Sequence, residues 1–262
     1  MKKNHCLTIN NLTMTFGGIK AVDDLSFQIY ENEIYGLIGP NGAGKTTVFN
    51  CITQFYKPNA GQVIFNNKSD QSIDLVTYQT HEIIQEGLVR TFQNIELINE
   101  LSLLDNLLVG AHVHYETGIF FQGLRLKKAR DEEIKMKKKA EKILEFLELF
   151  ERKDELVAGQ PYGVLKKVEL GRTLMSDPKL IILDEPAAGL NETETTQLAG
   201  LLRDIRLEYD CTILLVEHDM RLVMDVCDRI CAISFGRKLG EGTPRAIQKN
   251  KRVQEAYLGT EV

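Results

Sequence analysis

Gly39-Pro40-Asn41-Gly42-Ala43-Gly44-Lys45-Thr46-Thr47 is the stretch on which the fold turns. Before it, EIYGLIG (33–39) reads as a short apolar strand ending on glycine; after it, Val48, Phe49 and Ile52 mark one apolar face of a helix. Strand, glycine loop and helix in that order open a parallel α/β unit. The loop also fits the pattern G-x-x-x-x-G-K-[ST]. Its glycines let backbone N–H groups close around phosphate oxygens, and the field of the helix N-terminus favours the negative charge. Lys45 would neutralise part of that charge, and the Thr46 hydroxyl can ligate Mg²⁺. A turn that merely capped a helix would need neither the lysine nor the hydroxyl. Gly39, Asn41, Gly42, Ala43, Gly44, Lys45, Thr46 and Thr47 are therefore the candidate phosphate-binding residues.

Upstream, CLTINNLTMTF (6–16) and DDLSFQIY (23–30) bracket a glycine pair and predict a small antiparallel sheet. Downstream, KPNAG (57–61) is a turn and QVIFNN (62–67) a strand. From about Leu97 to Leu156 strand signals vanish and Ile143, Leu144, Leu147 and Phe150 follow one helical face. The charged run 127–142 places Asp131 with Lys135 and Glu133 with Lys137 at i, i+4, the pattern of a solvated helix face. Strands and helices then alternate again: PKLIILDEP (178–186) and CTILLVEHD (211–219) are buried strands, 193–209 and 221–230 helices, and CAISFG (231–236) a last strand. Crossover helices between such strands require a parallel sheet. The predicted organisation is an α/β core of residues 1–95 and 166–262 carrying the antiparallel sheet, with a helical subdomain inserted at 96–165.

A nucleotide site also needs a group to hold a metal ion and one to activate water, both at the end of a neighbouring strand. Four apolar residues, 180–183, bury one strand and deliver Asp184 and Glu185 at its C-terminal end. Asp184 is placed to hold hydrated Mg²⁺, and Glu185 to take a proton from the attacking water. His218 follows the next buried strand and should emerge at the same edge, where an imidazole can hydrogen-bond a γ-phosphate.

Composition narrows the alternatives. With 43% hydrophobic and 26% charged residues in 262, the chain has the balance of a soluble globular protein. Lys plus Arg at 32 against Asp plus Glu at 37 lacks the basic excess of a general nucleic-acid binder. Cys6, Cys51, Cys211, Cys227 and Cys231 form no C-x-x-C pair, so they read as buried fillers in a reducing compartment, not as a disulfide frame or zinc site. His112 and His114 could ligate metal from one face of a strand but have no carboxylate or thiol beside them. No apolar run approaches the roughly 18 residues of a membrane span, and no apolar stretch follows the N-terminal lysines.

Taken in order, these motifs resemble the ATP-binding subunits of ABC transporters across nearly the whole chain. GPNGAGKTT resembles their Walker A motif, Gln93 in RTFQN their Q-loop, LIILDEP their Walker B motif, AAGLN (187–191) their D-loop and His218 their switch histidine. The resemblance implies a P-loop NTPase (RecA-like) core, ATP and Mg²⁺ as ligands, Phe16 stacked on adenine, and Gln93 near nucleotide and metal. The family's signature, close to LSGGQ, falls at 160–165 as Gln160-Pro161-Tyr162-Gly163-Val164-Leu165. Gly163 alone is retained, with Pro161 and Val164 in place of serine and glutamine. By resemblance this motif acts on ATP bound to an opposite subunit.

Within the family, the long helical insert, the PYG signature and the ending GEGTP…VQEAYLG look most like subunits for branched-chain amino acid uptake. Relatives serving urea, amides or lipopolysaccharide share parts of this pattern. The resemblance further implies a second, different ATP-binding subunit, membrane permease subunits, an extracytoplasmic solute-binding protein acting indirectly, and a peripheral location on the cytoplasmic face of the plasma membrane. A soluble ABC ATPase acting on ribosomes or DNA would carry two cassettes or a long coiled coil, neither of which is evident. A regulatory module without turnover would not need both Lys45 and Glu185.

Overall fold

The computed structural model describes residues 4–91, 95–114 and 127–258. They belong to two compact units, Met1–Arg90 with Lys179–Val262, and Thr91–Pro178. The first unit opens with β1 (His5–Phe16) and β2 (Ile19–Tyr30), antiparallel with Phe16 opposite Ile19. Gly17, at φ 57°, takes the left-handed turn that joins them. Next come β3 (Ile34–Ile38), buried along its whole length, and α1 (Lys45–Ile52). Then follow β4 (Ala60–Asn66), β5 (Ser72–Asp74), α2 (Thr80–Glu86) and β6 (Leu88–Arg90).

In the inserted unit are α3 (Leu103–Gly110), α4 (Lys127–Phe146) and α5 (Tyr162–Leu174). Met136, Ala140, Ile143, Leu144 and Leu147 form the buried side of this unit, while Asp131, Glu133, Lys135 and Lys137 are solvated. Phe150 leaves the expected helical face: α4 stops at Phe146, Glu148 turns at φ 60°, and Phe150 opens a short 3-10 turn. A Cβ on Gly171 would stand 2.7 Å from Leu147 Cδ1, so glycine there permits the close approach of α5 to the end of α4. This packing joins α5 to the insert, and the compact unit runs on to Pro178, past the boundary of 165 drawn from sequence. His112 and His114 lie in a 3-10 turn, not on a strand, and His114 Nε2 is 2.9 Å from the Met175 carbonyl. Among the described residues no group of three or more metal-ligating side chains occurs.

Back in the first unit run β7 (Leu180–Asp184), α6 (Glu192–Glu208), β8 (Thr212–Val216), α7 (Met220–Val226), β9 (Arg229–Ser234), β10 (Arg237–Gly242), α8 (Pro244–Gln248) and α9 (Lys251–Leu258). The helix expected over 221–230 ends at Val226. Ile34 N–H donates to Asp228 Oδ2 (2.9 Å) and Tyr35 pairs with Arg229, so sheet pairing claims the last residues of that segment.

Two sheets result, β2-β1-β4-β5 and β10-β9-β3-β8-β7-β6. The five strands β9, β3, β8, β7 and β6 are parallel, and β10 caps the edge antiparallel to β9. Leu7, Ile9, Leu25, Ile29 and Phe65 from the smaller sheet share one core with Leu37, Val48, Ile52, Ile182 and Leu214. All five cysteines are free and buried, and burial pushes the thiols of Cys6, Cys51, Cys211 and Cys231 up to about 12, where they behave as apolar fillers. Among the described residues no helix is long and apolar enough to cross a membrane.

Candidate functional site

Parallel register decides where the chemistry collects. Leu37 and Asp184 both pair with Val216, and Ile38 pairs with Ala232. The loop after β3, the acids ending β7, the turn after β8 and the β9–β10 hairpin therefore emerge at one carboxyl edge, where open α/β sheets bind ligands.

The glycine loop is set by close packing. A Cβ on Gly39 would lie 2.4 Å from the Ile233 carbonyl oxygen, and one on Gly44 2.4 Å from that of Ala21, with Gly44 itself at φ 102°. Gly236 N–H donates to the Ala43 carbonyl (2.9 Å), tying the hairpin to the loop. Lys45 is buried, and its ammonium donates to the carbonyls of Gly39 (2.7 Å) and Pro40 (3.3 Å). Burial lowers its pKa, while Glu185, Asp184 and Glu217 oppose that shift. No side chain caps α1 and no acid stands in its first turn, so its N-terminal amides face the loop as donors. Asn41, Gly42 and Thr46 are exposed and Thr47 is half-buried.

Asp184 is held in a field too negative for its comfort. Burial first, then Glu185, pushes its carboxyl up to about 6, against the pull of Arg90 and Lys45. A divalent cation would relieve that field. Asp184 and the Thr46 hydroxyl are two oxygen donors of the kind that would hold Mg²⁺. Glu185 sits at φ 48°, uncommon for a non-glycine residue, and its N–H is fixed by the Val216 carbonyl at 2.8 Å. That strained turn aims its side chain, and His218 Nδ1 comes within 3.5 Å of Glu185 Oε1.

Phe16 is 43% exposed, outside the core, with its ring edge-on to Tyr56 at 5.2 Å between centroids. Gly163 stands in the first turn of α5, whose N-cap, Pro161, offers no side-chain hydrogen bond. Gln93 lies outside the described residues. In 187–191, Gly189 turns at φ 82° and Asn191 caps α6, accepting from Glu194 N–H at 3.0 Å. A cavity of about 340 Å³ opens between α6 and α7, lined by Leu190, Ala199 and Leu222 and rimmed by Asp219 and Arg221, with no phosphate-loop residue in its wall.

Three further residues bear on the site without having been read from sequence. Glu217 is fully buried; Oε1 accepts from Ala187 N–H (2.8 Å) and Oε2 from His218 (2.8 Å) and Asp219 (3.0 Å), lacing the turn after β7 to the turn after β8. Its signal was an acid directly before the histidine at the end of an apolar strand. Arg90 lies over the rings of Phe49 (4.9 Å) and Phe55 (4.0 Å) and adds positive charge near Asp184. Tyr56 supplies the second ring beside Phe16, visible only as one tyrosine after the α1 segment.

The chain is similar to proteins of known family. Residues 22–188 match the family described as ABC transporter, and residues 237–262 one described as Branched-chain amino acid ATP-binding cassette transporter. The chain is 42% identical over 253 residues to the high-affinity branched-chain amino acid transport ATP-binding protein LivG of Escherichia coli (strain K12), covering 97% of each chain. It is 40% identical to the corresponding protein BraF of Pseudomonas aeruginosa, again over 97% of each. A crystal structure of an ATP-binding cassette of an ABC transporter in its ADP conformation superposes with a TM-score of 0.83 at 32% identity, covering 97% of this chain and 99% of that one. A nucleotide-free cassette gives 0.81 at 31% identity over 97% and 98%. Sequence, fold and the chemistry gathered at one sheet edge agree, and the chain belongs to the ABC transporter family as an ATP-binding subunit and ATPase.

Proposed function

We propose that this chain binds Mg–ATP through the loop 39–47, hydrolyses it with Glu185 as base, and so powers the import of branched-chain amino acids through membrane permease subunits. The observation that carries the hydrolytic assignment is the convergence of Lys45, Asp184, Glu185 and His218 at the carboxyl edge of β3, β7 and β8. The names of the most similar relatives support the solute class.

In this reading the loop amides and Lys45 bind the β- and γ-phosphates, and Lys45 exchanges its bonds to the Gly39 and Pro40 carbonyls for phosphate oxygens. Thr46 and Asp184 would hold Mg²⁺, which would supply charge neutralisation at the phosphates, and Gln93 would add the nucleotide and metal contact its motif implies. Glu185 accepts a proton from the attacking water. His218 donates to the γ-phosphate and, through its contact with Glu185, keeps the base oriented. Phe16 offers its exposed face to adenine.

The partners follow the same reading: permease subunits in the membrane, a solute-binding protein acting through them from the far side, and a peripheral position on the cytoplasmic face. A second ATP-binding subunit faces the signature. Because Pro161 and Val164 supply no side-chain donors of the usual kind, that subunit is a different chain, so that one altered signature serves one of two sites. Phosphate release by the purified chain, with Glu185→Gln beside it, tests the core of the proposal. Turnover by that variant at the parent rate would remove Glu185 from the role of base.

A further inference from the structure

The cavity of about 340 Å³ between α6 and α7 takes no part in the chemistry described so far. It lies at the low end of the roughly 300 to 1,000 Å³ of small-molecule sites, which suits a ligand of few atoms. Ala199 and Leu222, each 1% exposed, and half-buried Leu190 give it an apolar floor. Its α7 wall carries both signs of charge. Arg221 and Asp225 stand at i, i+4, a spacing that sets Cβ atoms about 5 to 6 Å apart on one helix face. Both are exposed and pair across to α6, Arg221 Nη1 with Glu192 Oε1 and Asp225 Oδ1 with Arg203 Nη2 (2.5 Å). Asp219, the other acid of this wall, is turned to its own helix, accepting from the N–H groups of Arg221 (2.8 Å) and Leu222 (3.4 Å).

A ligand matched to this space brings an aliphatic body for the floor, an anion for Arg221 and a cation for Asp225. The guanidinium of Arg221 presents its N–H groups as a planar fork that fits a carboxylate. An α-amino acid with a branched aliphatic side chain has all three parts, its two charges close enough together to meet residues one helical turn apart.

The cavity also adjoins the hydrolytic site through its helices. α6 begins after the 187–191 turn and α7 two residues after His218, and Glu217 laces the turns before both helices together from inside. On the outside, the Glu192–Arg221 pair ties the first turns of the same two helices. A ligand carboxylate competes with Glu192 for Arg221, so its binding unties them and loosens the placement of His218 against Glu185.

We propose that this cavity is a regulatory site for the imported solute, a branched-chain aliphatic amino acid, and that its occupancy slows ATP turnover. The identity of the solute as the imported one rests on the function proposed above; the chemistry of the site rests on its floor and wall.

L-Leucine titrated calorimetrically into the full chain without nucleotide should bind with a Kd of about 1 mM or tighter. 4-Methylpentanoate, 3-methylbutylamine and glycine each lack one of the three parts and should bind about 5-fold or more weakly. Saturating leucine should cut phosphate release about 2- to 5-fold, the scale of one exposed ion pair. Arg221→Ala should weaken leucine binding about 5-fold or more while Tm stays within about 2 °C, because the side chain is exposed. Glu192→Gln should bind leucine at least as well as the parent, yet its turnover should no longer respond. Absence of leucine binding up to about 10 mM would overturn the inference. So would binding that survives Arg221→Ala unchanged, or binding that leaves turnover of the parent as it was. An assembled transporter that imports no branched-chain amino acid would sink the solute reading by itself, in an uptake assay that leaves leucine binding by the isolated chain unaffected.

Discussion

His218 Nδ1 lies 3.5 Å from Glu185 Oε1, two side chains that leave adjacent parallel strands at the same edge. A base and an imidazole so placed can share one water and one phosphate. Glu185→Gln keeps the shape and removes the basicity. ATP binding should stay within about 2-fold of the parent, and phosphate release should fall about 100-fold or more. His218→Ala should also cut release while binding persists. Lys45→Ala should weaken binding itself, if, as proposed, its charge meets the phosphates before any bond breaks. Equilibrium titration alongside a phosphate-release assay separates the three.

Phe16→Ala removes one ring of the exposed pair it forms with Tyr56. Stacking on a base is worth about 1 to 3 kcal/mol, so ATP affinity should drop about 5-fold or more. Because Phe16 lies outside the core, Tm should barely move. Equal affinity in a folded variant would leave adenine to some other group.

Glu217→Ala would strand the N–H groups of Ala187, His218 and Asp219. A donor left unsatisfied where it is buried, as at Ala187, costs about 1 to 3 kcal/mol, and the part-buried pair at His218 and Asp219 costs less. The variant should melt at least about 4 °C lower and lose turnover, because the turns that carry Glu185 and His218 are loosened together. Glu217→Gln keeps one acceptor oxygen and should fall between the two. A melt of Glu217→Ala identical to the parent would show that these contacts do not hold the turns.

Asp184 titrates at about 6 in the folded chain against an ordinary value of 3.8, chiefly through burial. Between those values the folded chain holds a proton that the unfolded chain has released. Stability from this group is therefore highest at the acid end, falls as pH rises from about 4 to about 6, and is flat above. Asp184→Asn should remove that slope and raise the metal-free Tm at pH 7 by about 2 °C or more. In the parent, the Mg²⁺ needed for half-maximal turnover should rise as pH falls below about 6, since the metal requires the carboxylate. Melts without metal and Mg²⁺ titrations at pH 5.5 and 7.5 would check both.

The altered signature predicts an asymmetric assembly. Losing a transition-state donor costs about 2.7 to 4 kcal/mol, so the chain alone should hydrolyse ATP weakly, and co-assembly with a second ATP-binding chain and permeases should raise turnover per site. Gly163→Asp should suppress it by adding a charge beside the partner's γ-phosphate. A stable ATP-dependent homodimer that turns over as fast as the full assembly would refute the asymmetry.

Much of this site is legible in the sequence because its constraints are local. The loop 39–47 needs glycines where backbone approaches backbone, and Asp184 and Glu185 end a strand whose four buried residues announce it. What escaped is either short or assembled across the chain. β6 is three residues long, too few for any periodicity, yet it places Arg90 between two rings from α1 and its sequel. α7 looks helical through Ile230, and the pairing of Arg229 with Tyr35, with Asp228 accepting from Ile34 N–H, ends it sooner. Glu217 gains its partners from two separate turns, so its role exists only once β7 and β8 are side by side.

The Ala21 carbonyl, 2.4 Å from where a Gly44 Cβ would stand and 2.6 Å from where one on Gly236 would stand, also governs how this chain can be cut. Every motif of the hydrolytic site lies after residue 30 apart from Phe16, so a fragment beginning at β3 would look sufficient on paper. It would lack the strand that roofs the loop, and Gly44 and Gly236 would close on water. Circular permutants and split versions that keep Ala21 seated, with new ends in the turn before β4 or after α6, should keep a working loop. Those opened between Gly17 and Val22 should not, even though no catalytic side chain would have been touched.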